Sequence, residues 1–117
     1  MANPNLLTLT TVAGGTAVQA ITTTPTAIVT NSAASGKIYR IKALYVSNVD
    51  GVSNATVNVD IFRDSTAYHI AKTIIVPADA TVDIINKDVY LLEGDELRLT
   101  ASVDGDLEAV CSYEEIS

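Results

Sequence analysis

The sequence predicts an all-β protein: an antiparallel β-sandwich of jelly-roll type with an extended, uncharged N-terminal segment. Three observations carry this expectation. Apolar and polar residues alternate with a period of two along most of the chain, the pattern of strands with one buried face. Turn-forming residues interrupt the alternation about every ten residues, the spacing of sandwiches and jelly rolls. No long run repeats its apolar positions with the 3.6-residue period of a helix.

In chain order, residues 1–36 hold no Asp, Glu, Lys or Arg. Their Thr and Val suit pleated strands, expected over 6–12, 16–21 and 26–30, with Gly14-Gly15 as a break. Asn31 to Gly36 reads as a loop. The strand over 37–47 sets Tyr39, Ile41, Ala43 and Tyr45 on one face and Ile38, Arg40, Lys42, Leu44 and Val46 on the other. Both faces are partly apolar, so this strand is expected to be central, bulged or covered by another chain. Asp50-Gly51, inside the loop from Asn48 to Asn54, is a hairpin signal. Strands follow over 55–63 and 67–76, with Arg63 to Thr66 as a short turn between them. Pro77 ends the second, because proline cannot donate to a ladder. The last strands fall over 81–85, 89–92, 96–103 and 107–114, with Glu93-Gly94-Asp95 and Asp104-Gly105-Asp106 as tight turns. Residues 1–35 are read as N-terminal strands or an assembly arm, and 36–117 as the β-sandwich domain.

With 117 residues the chain can bury a core without disulfides or metal. Net charge is −7, unevenly spread. Up to residue 49 the only charges are Lys37, Arg40 and Lys42; the fourteen acids lie beyond, against four cations. A chain without a basic stripe does not hold a phosphate backbone, so nucleic acid is not an expected partner. Thr and Asn interrupt the uncharged stretch too often for a bilayer span, and MANPNLL lacks the features of a signal peptide. A membrane is therefore not an expected partner either.

No catalytic constellation is apparent. A general base needs a nucleophile or carboxylate at bonding distance; His69, set by alternation on the face opposite Tyr68 and Ile70, reads as a surface or interface histidine. Cys111, in phase with Ala109 and Tyr113, reads as a buried, inert thiol. The acidic turns lack the ligand spacing of a calcium loop, and a single histidine cannot build a cupin metal centre. No cofactor, metal or enzymatic activity is expected. Tyr39, Tyr45, Tyr68 and Tyr90 could together form a sugar-stacking platform, which keeps a carbohydrate-binding module as an alternative of another class.

The segments GKIYRIKALYVSN at 36–48, TIIVPADATVDIINKDVYLLEGDELRLTAS at 73–102 and DLEAVCSYEEIS at 106–117 resemble small structural proteins of tailed bacteriophages, particularly of marine and cyanobacterial hosts. The resemblance implies a β-sandwich that decorates a capsid, or sits in the neck or tail, and carries no catalytic residues. It points to a virion protein, a capsid decoration or cement protein, whose partners are the major capsid protein, other virion proteins or further copies of itself. The expected contacts are Leu6, Leu7, Leu9 and Val12 of the uncharged segment, and Lys37, Arg40 and Lys42 facing acids such as Glu114 and Glu115 of another copy.

Overall fold

A computed structural model describes residues 3–117. Nine strands follow in order: β1 (Val12–Ala20), β2 (Thr26–Thr30), β3 (Ile38–Asn48), β4 (Ala55–Arg63), β5 (Thr66–Val76), β6 (Thr81–Ile85), β7 (Val89–Leu91), β8 (Glu96–Ala101) and β9 (Leu107–Ile116). One sheet has the order β1-β9-β3-β6, with β7 pairing β3 beside β6; the other has the order β2-β8-β4-β5. Every pairing is antiparallel. β1 pairs with β9, β2 with β8, β3 with β6 and β4 with β5, so the chain is one long hairpin rolled into two sheets. That is the jelly-roll winding.

Alternation explains the core. β3 sends Ile41, Leu44 and Val46 inward, β4 Val57 and Val59, β8 Leu97 and Leu99, and β9 Leu107, Ala109 and Cys111, all buried in one cluster between the sheets. The aliphatic strands interdigitate without tryptophan. Ile38 and Ile116 are also buried and lie opposite each other across β3 and β9, yet stand outside this cluster. β3 is central, as its two apolar faces predict, with register shifts on both sides.

The structure departs from the sequence reading at three places. Residues 6–12 are not a strand: Leu6–Thr8 form a short 3-10 turn. Asn5 starts it, because its side-chain oxygen accepts the Leu7 N–H at 3.0 Å and its carbonyl the Thr8 hydroxyl at 2.8 Å. Gly14-Gly15 is not a break but lies inside β1. Gly15 is required there by close approach: a Cβ on it would come within 2.6 Å of the Tyr113 ring. Asp50-Gly51 is not a hairpin turn, since the loop holding it crosses from β3 in one sheet to β4 in the other. Asn48 redirects that loop by accepting the Asp50 N–H and donating to the carbonyls of Ser53 and Val76. The true hairpin is Arg63–Thr66, where Asp64 and Ser65 both take positive φ (52° and 61°), as a type I′ turn requires.

Candidate assembly surfaces

The basic residues of β3 and the acids of β9 meet because the register sets Arg40 opposite Glu114 and Tyr39 opposite Glu115. Arg40 donates to Glu114 at 2.8 Å, and its guanidinium carbon lies 5.4 Å from the centre of the Tyr90 ring. Lys37 donates to Glu115, and that bond raises the lysine pKa above its ordinary value. Lys42 lies 3.4 Å from Asp88. The cations and acids named from the sequence are thus partnered within one chain.

The jelly-roll winding sends loops to two opposite ends of a molecule 49 Å long and 27 by 19 Å across. At one end Val49 donates to Asp106, Asp79 to Asp50, and the Thr23 N–H to the Asp104 carboxylate. At the other end Asp95, only 1% exposed, accepts two bonds from Arg63 at 2.7 and 2.6 Å and one from the Leu92 N–H. The Arg63 pKa is raised mainly by this bonding to Asp95. Here too the Glu93 N–H donates to Asn3, which places the start of the described chain at this end. The N-terminal turn leaves Leu7 93% exposed and Leu6 and Val12 also exposed, with Leu9 half-buried. At the opposite end Val52 is 89% exposed.

Sequence reasoning missed one surface and left a second, within the segment read as strands or an assembly arm, without its place in the fold. Val18, Val110 and Tyr45 form an exposed row across the outer face of β1, β9 and β3. The available signal was Val110, an apolar residue out of phase with the buried Ala109 and Cys111 of β9. The second is the outer edge of β1, with which no described strand pairs.

The remaining candidates are dispersed. Tyr39 packs against the core beside Tyr113, with ring centres 5.8 Å apart, and Tyr68 belongs to the other sheet from Tyr45 and Tyr90. The four tyrosines therefore make no shared platform. His69 is exposed opposite Asp60, whose buried carboxylate is engaged by Arg98 at 2.9 Å. Cys111 is fully buried, and desolvation pushes its thiol pKa up to about 11.

The sandwich has a known counterpart. A solved structure from Bacillus, described as endospore appendages that form a novel family of disulfide-linked pili, superposes with a TM-score of 0.53. The match covers 90% of this chain and 85% of that one, at 14% sequence identity. At that identity the likeness concerns the fold. No protein-family model matches the sequence, and no curated protein does. Disulfide linkage is a property of the Bacillus appendages; here the single cysteine, Cys111, lies inside the sandwich.

Proposed function

We propose that the chain is a non-enzymatic structural subunit of a repeating assembly, a virion protein of a tailed bacteriophage that decorates the capsid. It bridges neighbouring copies of the major capsid protein, or of itself, and stabilises the shell. The observation that carries this reading is the placement of exposed apolar side chains. Leu7 at one end, Val52 at the other and Val18 beside the edge of β1 are 93%, 89% and 73% exposed. One binding site would gather such residues in one patch. A subunit held on several sides spreads them, and interface cores are where such side chains lose water. Each contact needs only a few kcal/mol, because linked contacts act at high effective concentration. The pilus likeness supports the same kind of role through a shared sandwich, and the sequence resemblance supplies the phage.

Quantitative mass spectrometry of gradient-purified virions tests it. A decoration protein is present in fixed, high ratio to the major capsid protein. A copy number of about a dozen or fewer, the count of a closed ring, moves it to the neck or tail. Absence from the particle overturns the virion reading.

A further inference from the structure

The two sheets present four edges: β1 and β6/β7 in one, β2 and β5 in the other. Natural sheets blunt their edges with short strands, bulges and charge, because an open edge recruits another chain. Three edges here carry such devices. β6 and β7 have five and three residues and are separated by a segment containing Lys87. β2 has five residues and a register shift. β5 carries Lys72 and is bent at Thr73, whose φ of 54° is costly for a β-branched residue and is fixed by a 2.6 Å bond to Asn58. β1 carries none of them. It runs nine residues against β9 without a register shift, and holds no charge and no proline.

The phase of the ladder shows which groups are open. Thr11 and Ser117 exchange two bonds of 2.8 Å, and the Ile21 N–H donates to Leu107 at 2.9 Å. Antiparallel alternation between those points turns the odd-numbered residues of β1 toward β9. The N–H and C=O groups of Val12, Gly14, Thr16 and Val18 point to the open edge. The strand is also nearly palindromic about Gly15: Val12-Ala13-Gly14 mirrors Val18-Ala17-Thr16. Antiparallel pairing of two copies about Gly15 places Val12 opposite Val18 and Gly14 opposite Thr16. Those even-numbered pairs are the ones whose hydrogen-bonding groups are free. Val12 and Val18, 60% and 73% exposed, would cover each other on the outer face.

We propose that β1 is a two-fold interface at which a second copy of this chain adds its own β1, joining two sheets into one continuous sheet. A strand that is self-complementary in sequence and in hydrogen-bond phase suits an isologous contact. An uncharged strip is also where two copies of net charge −7 can meet with least repulsion. The proposal rests on the reading of the chain as an assembly subunit, and names one of its contacts.

The test combines sedimentation of the full chain over a concentration series with residue-resolved amide exchange. The expected result is a dimer, strengthened by salt, in which the amides of Gly14, Thr16 and Val18 gain protection on association. Thr16→Pro removes an open-edge donor and sets a ring in its place without touching a bond to β9, and Val18→Lys adds a charge on the outer face. Each should weaken dimerisation at least about tenfold. Retained protection at Ala13 and Ala17 shows that β1 still pairs with β9 in each variant. Association without new protection at the even amides overturns the β1 contact and leaves the assembly reading standing. A monomer at every concentration overturns the proposal, and copy number per particle then decides the assembly reading alone. Protection of those amides in a monomer overturns it too, because the edge would be covered by the same chain.

Discussion

At the residue scale, two buried asparagines hold the loops that turn the sandwich over. Asn31 donates to the carbonyls of Lys37 and Leu91 at 2.9 and 3.0 Å, while its own oxygen accepts the Ser35 hydroxyl. Asn48 does the same at the opposite end with Ser53 and Val76. Both are essentially inaccessible, and each amide answers one buried strand-end carbonyl, that of Leu91 or Val76, together with a part-buried one in the adjoining loop. Asn31→Ala or Asn48→Ala should each lower the unfolding free energy by about 2–3 kcal/mol, read from urea midpoints at constant slope. Asn→Asp at either site should cost at least as much, since it removes the donors and buries a charge. Cys111 gives a pH prediction. Its folded thiol is held neutral, with a pKa of about 11 against an ordinary 9.0. Below pH 9.0 both states keep the proton and stability is unaffected. Above it the unfolded chain loses the proton first, so stability falls as pH rises toward 11. Lys37, whose pKa is raised by Glu115, acts in the same direction above its ordinary 10.5. Cys111→Ala should flatten the first part of that fall, and the native thiol should resist an aromatic disulfide reagent until the protein unfolds.

At the element scale, β1 shows why similar residues can behave oppositely. A Cβ at Gly14 meets nothing within 4 Å, whereas one at Gly15 meets the end of the Tyr113 ring at 2.6 Å. Gly14→Ala should therefore stabilise by about 0.5 kcal/mol, by restricting the unfolded chain. Gly15→Ala should destabilise by about 1–2 kcal/mol. Combining Gly15→Ala with Tyr113→Leu should recover most of the loss, a coupling that a double-mutant cycle measures. The same strand marks the limit of what sequence shows. Period-two alternation gave β4, β8 and β9 nearly residue for residue, because each has one face in the core and one in water. It found residues 16–20 but failed before them: the alternation of Leu7, Thr8, Leu9 and Thr10 belongs to no strand, and over residues 12–15 small residues carry no alternation of size or polarity. The glycines there read as a break, and only the position of Tyr113 reveals that Gly15 is a packing site. Loops were legible from Asn, Asp and Gly, but not their destinations. Asp50-Gly51 has better hairpin chemistry than Asp64-Ser65, yet the hairpin is at the latter, because Asn48 sends the former across to the second sheet. The ion pairs of β3 with β9 were legible as residues of opposite sign. Their pairing within one chain depends on register, which the sequence does not encode locally.

At the scale of the whole molecule, the nested winding fixes the order in which contacts can be afforded. Only β4 and β5 meet through a short turn; β3–β6, β2–β8 and β1–β9 each close a longer loop around the pair before. Loop closure must be met before distant contacts repay it, so folding should start at the Arg63–Thr66 hairpin and end with β1 on β9. Removing residues 1–30 deletes β1 and β2, with Ile21 and Val29 from the core, and should leave no cooperative unfolding transition. Removing residues 1–9 takes away only the apolar turn and should leave that transition in place. The folding order predicts how substitutions divide between the two rates. Ser65 sits at φ 61°, a conformation that glycine adopts without strain. Ser65→Gly should stabilise by about 0.5–1 kcal/mol, seen almost entirely as a two- to fivefold (roughly) faster folding rate. Gly15→Ala, in the strand that docks last, should leave folding unchanged and speed unfolding. Stopped-flow chevrons on the two variants decide it: were Gly15→Ala to slow folding while Ser65→Gly slowed unfolding, the sheet would be closing from its termini, and the rolled hairpin would describe the product and not the path.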